Sequence, residues 1–177
     1  MSSKKGTTKN QKRDSRFLSP EEIRSIDLWL ETMYRYAWSP SMSKAEAAVD
    51  ILNLPYKKLG IGQNRMVFDM ENGFVLKIPL SAVGAVSNRR EFYLFNSSSP
   101  EIKQYLCPVA EWGEGWVVME KADCSQQHHT SSLRQLLSMQ SKFLKHKILP
   151  IDLRPGNAGI NKQGKVVIFD YGLFVPL

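Results

Sequence analysis

Two apolar runs flank Asn72-Gly73 in this 177-residue chain. Asn-Gly accepts the left-handed backbone of a tight hairpin, so residues 65–70 and 74–79 are expected to pair as antiparallel strands. Residues 56–62 supply a third strand, with Gly60 and Gly62 at its turn. Residues 106–112 and 116–120 read as a second hairpin about Gly113-Glu114-Gly115, and residues 87–95 as a helix carrying Arg89, Arg90 and Glu91. These spans give five short strands, in two groups, with one helix between them, an α+β pattern.

Helical periodicity flanks this core. Ser19-Pro20-Glu21-Glu22 offers a cap, a proline suited to the first helical position, and a Glu placed to complete a capping box. Ile23, Ile26, Leu30, Met33 and Tyr34 follow on one face, and Ser39-Pro40 ends the run. A second helix is expected from near Ser43, with Glu46 three residues on, to about Leu52, and Pro55 closes it. Ser131 or Ser132 is placed to cap a later helix running to about Lys147, with Leu133, Leu136, Leu137, Phe143 and Leu144 mostly on one side. No internal repeat is present.

The net charge of +7 is unevenly placed. Residues 1–16 hold Lys4, Lys5, Lys9, Lys12, Arg13 and Arg16 against Asp14, so the rest of the chain is close to balanced. A disordered basic tail over residues 1–17 is expected, solvated or touching nucleic acid or another polyanion. No apolar run approaches the roughly 20 residues of a membrane-spanning helix, and the N-terminus lacks a secretory pattern, so no membrane partner is expected. Cys107 and Cys124 give no disulfide framework and suit a reducing, cytoplasmic setting. His128, His129 and His146 have no cysteine or acid at metal-ligand spacing and read as loop polarity.

Chemistry concentrates at the C-terminal end. Asp152 precedes Asn157 by five residues across Pro155-Gly156, and Asp170-Tyr171-Gly172 follows the apolar run Val166-Val167-Ile168-Phe169. An Asp at the end of a buried strand faces a pocket mouth, and Asn and Asp oxygens suit a hard cation such as magnesium. Alone, a loop of Asp, Pro, Gly and Asn is more often a turn than a metal site, a strand lysine is usually a solvated edge residue and a helix glutamate is usually surface.

Taken together, these segments resemble the catalytic loop and metal-binding segment of the protein kinases, H-R-D-L-x-x-x-N and D-F-G. Leu59-Gly60-Ile61-Gly62-Gln63-Asn64-Arg65-Met66-Val67 resembles their glycine-rich loop, and Val75-Leu76-Lys77 their strand lysine. Residues 116–122 resemble the strand entering the hinge. The resemblance implies an α+β, protein-kinase-like fold, with a small antiparallel five-stranded N-lobe sheet and one helix on it, binding ATP and Mg2+. Gly60, Gly62, Val67, Lys77, Met119, Glu120 and Ala122 would hold the nucleotide, with Met119 as gatekeeper. Glu91 would pair with Lys77, Asn157 and Asp170 would hold the metal, Asp152 would orient the attacking hydroxyl, and Arg154 would steady the transferred phosphoryl group.

The pattern departs at four places, one of them that a single helix is expected between the hinge-like segment and Asp152. Arg65 stands where the third glycine is expected, and Pro150-Ile151 replace the His-Arg of the catalytic loop. Five residues follow Gly172, without the activation segment or the lower helices of the family. The expected organisation is a tail over 1–17, a helical extension over 18–54 (two extra helices covering the back of the sheet or replacing lower-lobe packing), an N-lobe over 55–122, and a truncated C-lobe over 123–177. In brevity, and in the run from Gly84 to Glu91, the chain resembles small kinase-like proteins of bacteriophages and prophages. The function implied is ATP- and Mg2+-dependent transfer of the γ-phosphoryl group to a hydroxyl of a protein or small molecule. A catalytically weak or inactive pseudokinase, acting as a nucleotide-binding interaction module, is the alternative. A nucleic-acid role through the tail is a third.

Overall fold

The structure, a computed structural model, describes residues 14–125 and 133–177. The basic tail up to Arg13, the His128-His129 pair and the Ser131 or Ser132 cap lie outside the described residues.

Five strands form one antiparallel sheet: β1 (Lys57–Ile61), β2 (Arg65–Asp69), β3 (Phe74–Pro79), β4 (Val109–Gly113) and β5 (Trp116–Glu120), in the order β1-β2-β3-β5-β4. β2 and β3 pair from Arg65 with Pro79 to Asp69 with Val75. Their connection is a four-residue loop rather than a two-residue Asn-Gly turn. Glu71 and Gly73 have φ of 58° and 88°, and the Asp69 and Asn72 side chains accept bonds from the N–H groups of Glu71 and Phe74. Strand alternation sorts the side chains by face. Met66, Phe68, Leu76, Ile78, Trp116 and Val118 face one side, while Val67, Val75, Val117 and Met119 face the other.

The first face is covered by helices α1 (Pro20–Met33) and α2 (Ser41–Ile51), which contribute Ile23, Ile26, Trp29, Met33, Ala45 and Ala48 to the same cluster. Of the two roles open to these helices, they take the cover over the back of the sheet. Ser19 caps α1 in the expected capping box with Glu22. Trp29 is fully buried and its indole donates to Pro79 O at 2.7 Å, tying α1 to the end of β3. Tyr34, expected on the buried face, is 68% exposed. α2 starts at Ser41 behind Pro40 with no side-chain cap, two residues before the expected Ser43. Ser15, Arg16 and Phe17 sit on the sheet rather than trailing from it. Arg16 pairs with Glu111 and bonds Ala110 O, and the Phe17 ring meets Phe74 edge-on.

The second face packs on α3 (Ala82–Ser97) and, below it, on a smaller layer. That layer comprises α4 (Pro100–Lys103), α5 (Leu133–Lys145) and two short ribbons. One ribbon joins β6 (Ile148–Leu149) to β9 (Val175–Pro176), and the other joins β7 (Ala158–Ile160) to β8 (Val166–Ile168). α3 begins five residues before the expected Ser87, because Ser81 accepts from Gly84 N and caps it. β4 begins at Val109 rather than Leu106, because Leu106 and Cys107 bridge to Ile168 instead. This bridge and the pairing of Asp123 with Ile160 stitch the lower layer to the sheet.

Candidate active site

Between the sheet and the lower layer lies a cavity of about 640 Å3. Its walls include Gly60, Gly62, Val67, Lys77, Met119, Glu120, Ala122, Asp152, Arg154 and Asp170. Residues 110 positions apart in the chain thus reach one space. Glu91 and Asn157 do not line it; both are buried behind its wall.

Lys77 owes its position to strand alternation, since Leu76 and Ile78 face the helical cover and Lys77 faces the cleft. Its Nζ donates to both oxygens of Glu91 at 3.1 and 3.0 Å, and to Phe169 O at 2.5 Å. Burial pulls the Lys77 ammonium below the ordinary lysine range, and Glu91 offsets that pull. Glu91 comes from α3, where Gly84, Asn88 and Glu91 are spaced i, i+4, i+7 on one face. Gly84 meets the glycine-loop corner so closely that a Cβ would stand 2.0 Å from Asn64 O. Asn88 donates to Lys77 O at 3.0 Å.

The C-terminal wall is set by the β7–β8 ribbon. Its register continues past Ala158 and Ile168 to Phe169 N, which donates to Asn157 O at 2.9 Å, so Asn157 lies beside the residue preceding Asp170. Asn157 spends its Nδ2 on Asp152, bonding O at 2.9 Å and Oδ2 at 3.0 Å. Arg154 Nε is 3.0 Å from Asp152 Oδ1. Asp152 itself has φ of 64°, a left-handed conformation that Asp tolerates better than most residues and that turns its carboxylate toward both partners. Behind Asp170, Tyr171 is buried with its hydroxyl donating to Cys107 O at 2.8 Å.

Arg65 is the residue whose role the sequence does not announce. It reaches back from the start of β2, with Nη1 2.9 Å from Glu91 Oε2 and 3.2 Å from Asn88 Oδ1, while Nη2 pairs with the Asp170 carboxylate. Burial works to raise the Asp170 carboxyl, but Arg65 and then Lys77 outweigh it and hold the group below the usual carboxylate range. Burial opposes the Arg65 charge, and Glu91 and Asp170 more than restore it.

At the far end, the hinge-like segment is partly committed. Glu120 N donates to Pro108 O and Lys121 N to Gly73 O, and the Cys107 thiol donates to Glu120 O. Gly60 and Gly62 line the cavity with open space or ordinary contact where a Cβ would stand. Internal packing therefore does not demand glycine there. Among the described residues, no group of three or more His, Cys, Asp and Glu could hold a metal ion. No helix among them is long and apolar enough to cross a membrane.

No protein-family model matches the chain, and no curated protein matches it. Solved structures do. The bifunctional kinase-methyltransferase WbdD matches at a TM-score of 0.51 and 18% identity, over 65% of this chain and 31% of that one. WbdD crystallised with the kinase inhibitor LY294002 matches at 0.54 and 20%, over 71% and 34%. A high-resolution WbdD structure matches at 0.51 and 17%, over 71% and 34%. The fold is kinase-like. The chain spans about a third of the length of these solved relatives, and at such identities the likeness concerns architecture alone.

Proposed function

We propose that the chain is a phosphotransferase that takes ATP into the cavity between sheet and lower layer and passes its γ-phosphoryl group to a hydroxyl. The observation that carries this reading is the convergence of Lys77, Asp152 and Asp170 on one cavity, with Lys77 held by Glu91. Val67 and Met119 offer an apolar wall for a base, and Gly60 and Gly62 offer backbone without side chains to the phosphates. Lys77 would neutralise phosphate charge, and Glu91 keeps its ammonium aimed.

The residues present fit a magnesium ion. Asp170 presents a carboxylate to the cavity, and Asn157, behind the wall with its amide nitrogen used on Asp152, would offer its amide oxygen to the cation. Two protein oxygens are few, which matches an ion that keeps water and phosphate in its shell. When bound, it would supply charge neutralisation on the β- and γ-phosphate oxygens. The acceptor oxygen forms its bond to γ-phosphorus, the bond to the bridging oxygen breaks with its electrons leaving on ADP, and the hydroxyl proton passes to Asp152. Arg154, 3.0 Å from Asp152 and exposed, would steady the transferring group. The acceptor is a protein or small-molecule hydroxyl.

Transfer of label from γ-labelled ATP, compared between the native chain and Asp152→Ala, tests this directly. Asp152-dependent transfer supports it. A second reading, a nucleotide-binding pseudokinase, is favoured by one observation: Asp152 already has Oδ1 on Arg154 and Oδ2 on Asn157. Nucleotide binding without Asp152-dependent transfer would establish that reading instead.

A further inference from the structure

Arg65 is anchored too firmly to be an incidental substitution in a flexible loop. Leu80 N donates to Asn64 O at 2.7 Å, the Ser81 hydroxyl donates to Asn64 Oδ1 at 2.7 Å, and Gly62 N donates to Arg65 O at 2.8 Å. α3 closes on the same corner through Gly84, where any larger residue would collide with Asn64 O. Four contacts thus fix the backbone from which the Arg65 side chain enters the site. The Arg65 side chain is 10% exposed and lines the cavity, and its guanidinium lies among Glu91, Asn88 and Asp170.

Its consequence is a charge balance. Lys77 and Glu91 cancel, and an Asp170 without a cation beside it would leave the site at one net negative charge, which attracts a divalent ion and repels a polyphosphate. Arg65 brings the quartet Arg65, Lys77, Glu91 and Asp170 to zero before any ligand arrives. A guanidinium carries five N–H donors in a planar fork, so one already engaged by carboxylates keeps donors for a phosphate oxygen. It also keeps its charge under all ordinary conditions, unlike a buried lysine.

Resting on the nucleotide reading above, we propose that Arg65 is a second phosphate-binding cation, supplying at Asp170 part of the charge neutralisation that magnesium otherwise brings. Nucleotide affinity in this chain therefore depends only weakly on divalent ions. Because coupling between two ligands is reciprocal, the same arginine lowers the affinity of the nucleotide-bound site for magnesium. Arg65 thereby sets the metal requirement of the site.

The test is an equilibrium titration of ATP into the full chain, in EDTA and in saturating magnesium, for the native protein, Arg65→Gln and Arg65→Lys. The readout is the ratio of the two dissociation constants, which a general loosening of the fold does not move. The native ratio is expected to stay within ~tenfold, Arg65→Gln to raise it by a further ~tenfold or more, and Arg65→Lys to return it toward native. An unchanged ratio in Arg65→Gln, or a native chain that binds ATP only with magnesium, overturns the assignment. Should Arg65→Gln fail to fold, the native ratio and Arg65→Lys decide the matter by the same criteria. If the native chain binds no nucleotide in either condition, the nucleotide reading itself has failed and the role of Arg65 falls with it.

Discussion

Gly172 sits against Ser87 of α3 so closely that a Cβ added to the glycine would lie 2.5 Å from the Cβ of the serine. The glycine after Asp170-Tyr171 is therefore required by packing, because it lets α3 lie on the segment that carries Asp170. Arg90 Nη1 reinforces the contact by donating to Gly172 O at 3.3 Å. Gly172→Ala should cost ~1–3 kcal/mol through overpacking. In a chain of this size that lowers the melting temperature by roughly 2–4 °C per kcal/mol. Adding Ser87→Gly should recover part of the loss, and strictly additive melting shifts in the double variant would show that the two residues do not share this contact.

The quartet at the site is asymmetric toward mutation. Removing Lys77 leaves Glu91 paired with Arg65, whereas removing the Glu91 charge leaves two buried cations facing one another. Breaking a buried pair from the unsatisfied side typically costs ~3–5 kcal/mol. Urea unfolding should therefore show Glu91→Gln to be clearly less stable than Lys77→Met, with the latter still cooperatively folded. Equal losses in the two variants would mean that Arg65 does not support Glu91.

Acid should attack the same cluster. The Asp170 carboxyl is held below its unfolded value, so it contributes stability that is complete above the unfolded pKa of roughly 3.9 and is lost as pH falls through the folded value. Unfolding free energy measured from pH 5 downward should drop below about pH 4. In Arg65→Gln that part of the slope should shrink, because the guanidinium is the principal group holding the carboxyl down. A slope indifferent to Arg65 would contradict the pairing.

The two thiols should separate by reactivity. Burial pushes the Cys107 thiol up to about 12, and it donates to Glu120 O, so it should resist alkylation at neutral pH until the chain unfolds. Cys124 is exposed and lines the cavity. Counting modified thiols by mass should give one in the native state, at Cys124. Nucleotide in the cavity should slow that reaction, and labelling of Cys124 at an unaltered rate with saturating nucleotide would argue against occupancy of this end of the cavity.

The sequence makes some of this legible and hides the rest for physical reasons. β3 occupies the 74–79 span expected of the apolar run after Asn72-Gly73, and Ser19 with Glu22 closes the capping box that α1 needs, because both signals are local. α3 was harder to bound, since Gly84, Ser87 and Asn88 are poor helix formers whose presence is explained only by what α3 touches. Trp29 escapes the periodic reading of α1 because its partner, Pro79 O, is fifty residues away. Arg65 reads in sequence as a missing glycine; only the approach of Asp170, 105 residues later, makes it a partner. Its identity as a charged residue at the start of a strand facing the cleft was the one available hint.

The decisive question is whether this cavity holds a nucleotide against Lys77 and Asp170. Calorimetric titration of a non-hydrolysable ATP analogue with magnesium measures it, in the native chain, Lys77→Met and Asp170→Asn. We expect saturable one-to-one binding in the native chain, a loss of ~tenfold or more in Lys77→Met, about 1.4 kcal/mol or greater, and a smaller loss in Asp170→Asn. The variants should retain cooperative unfolding. Absence of binding to a folded native chain, or affinity unchanged in both variants, would contradict the nucleotide reading.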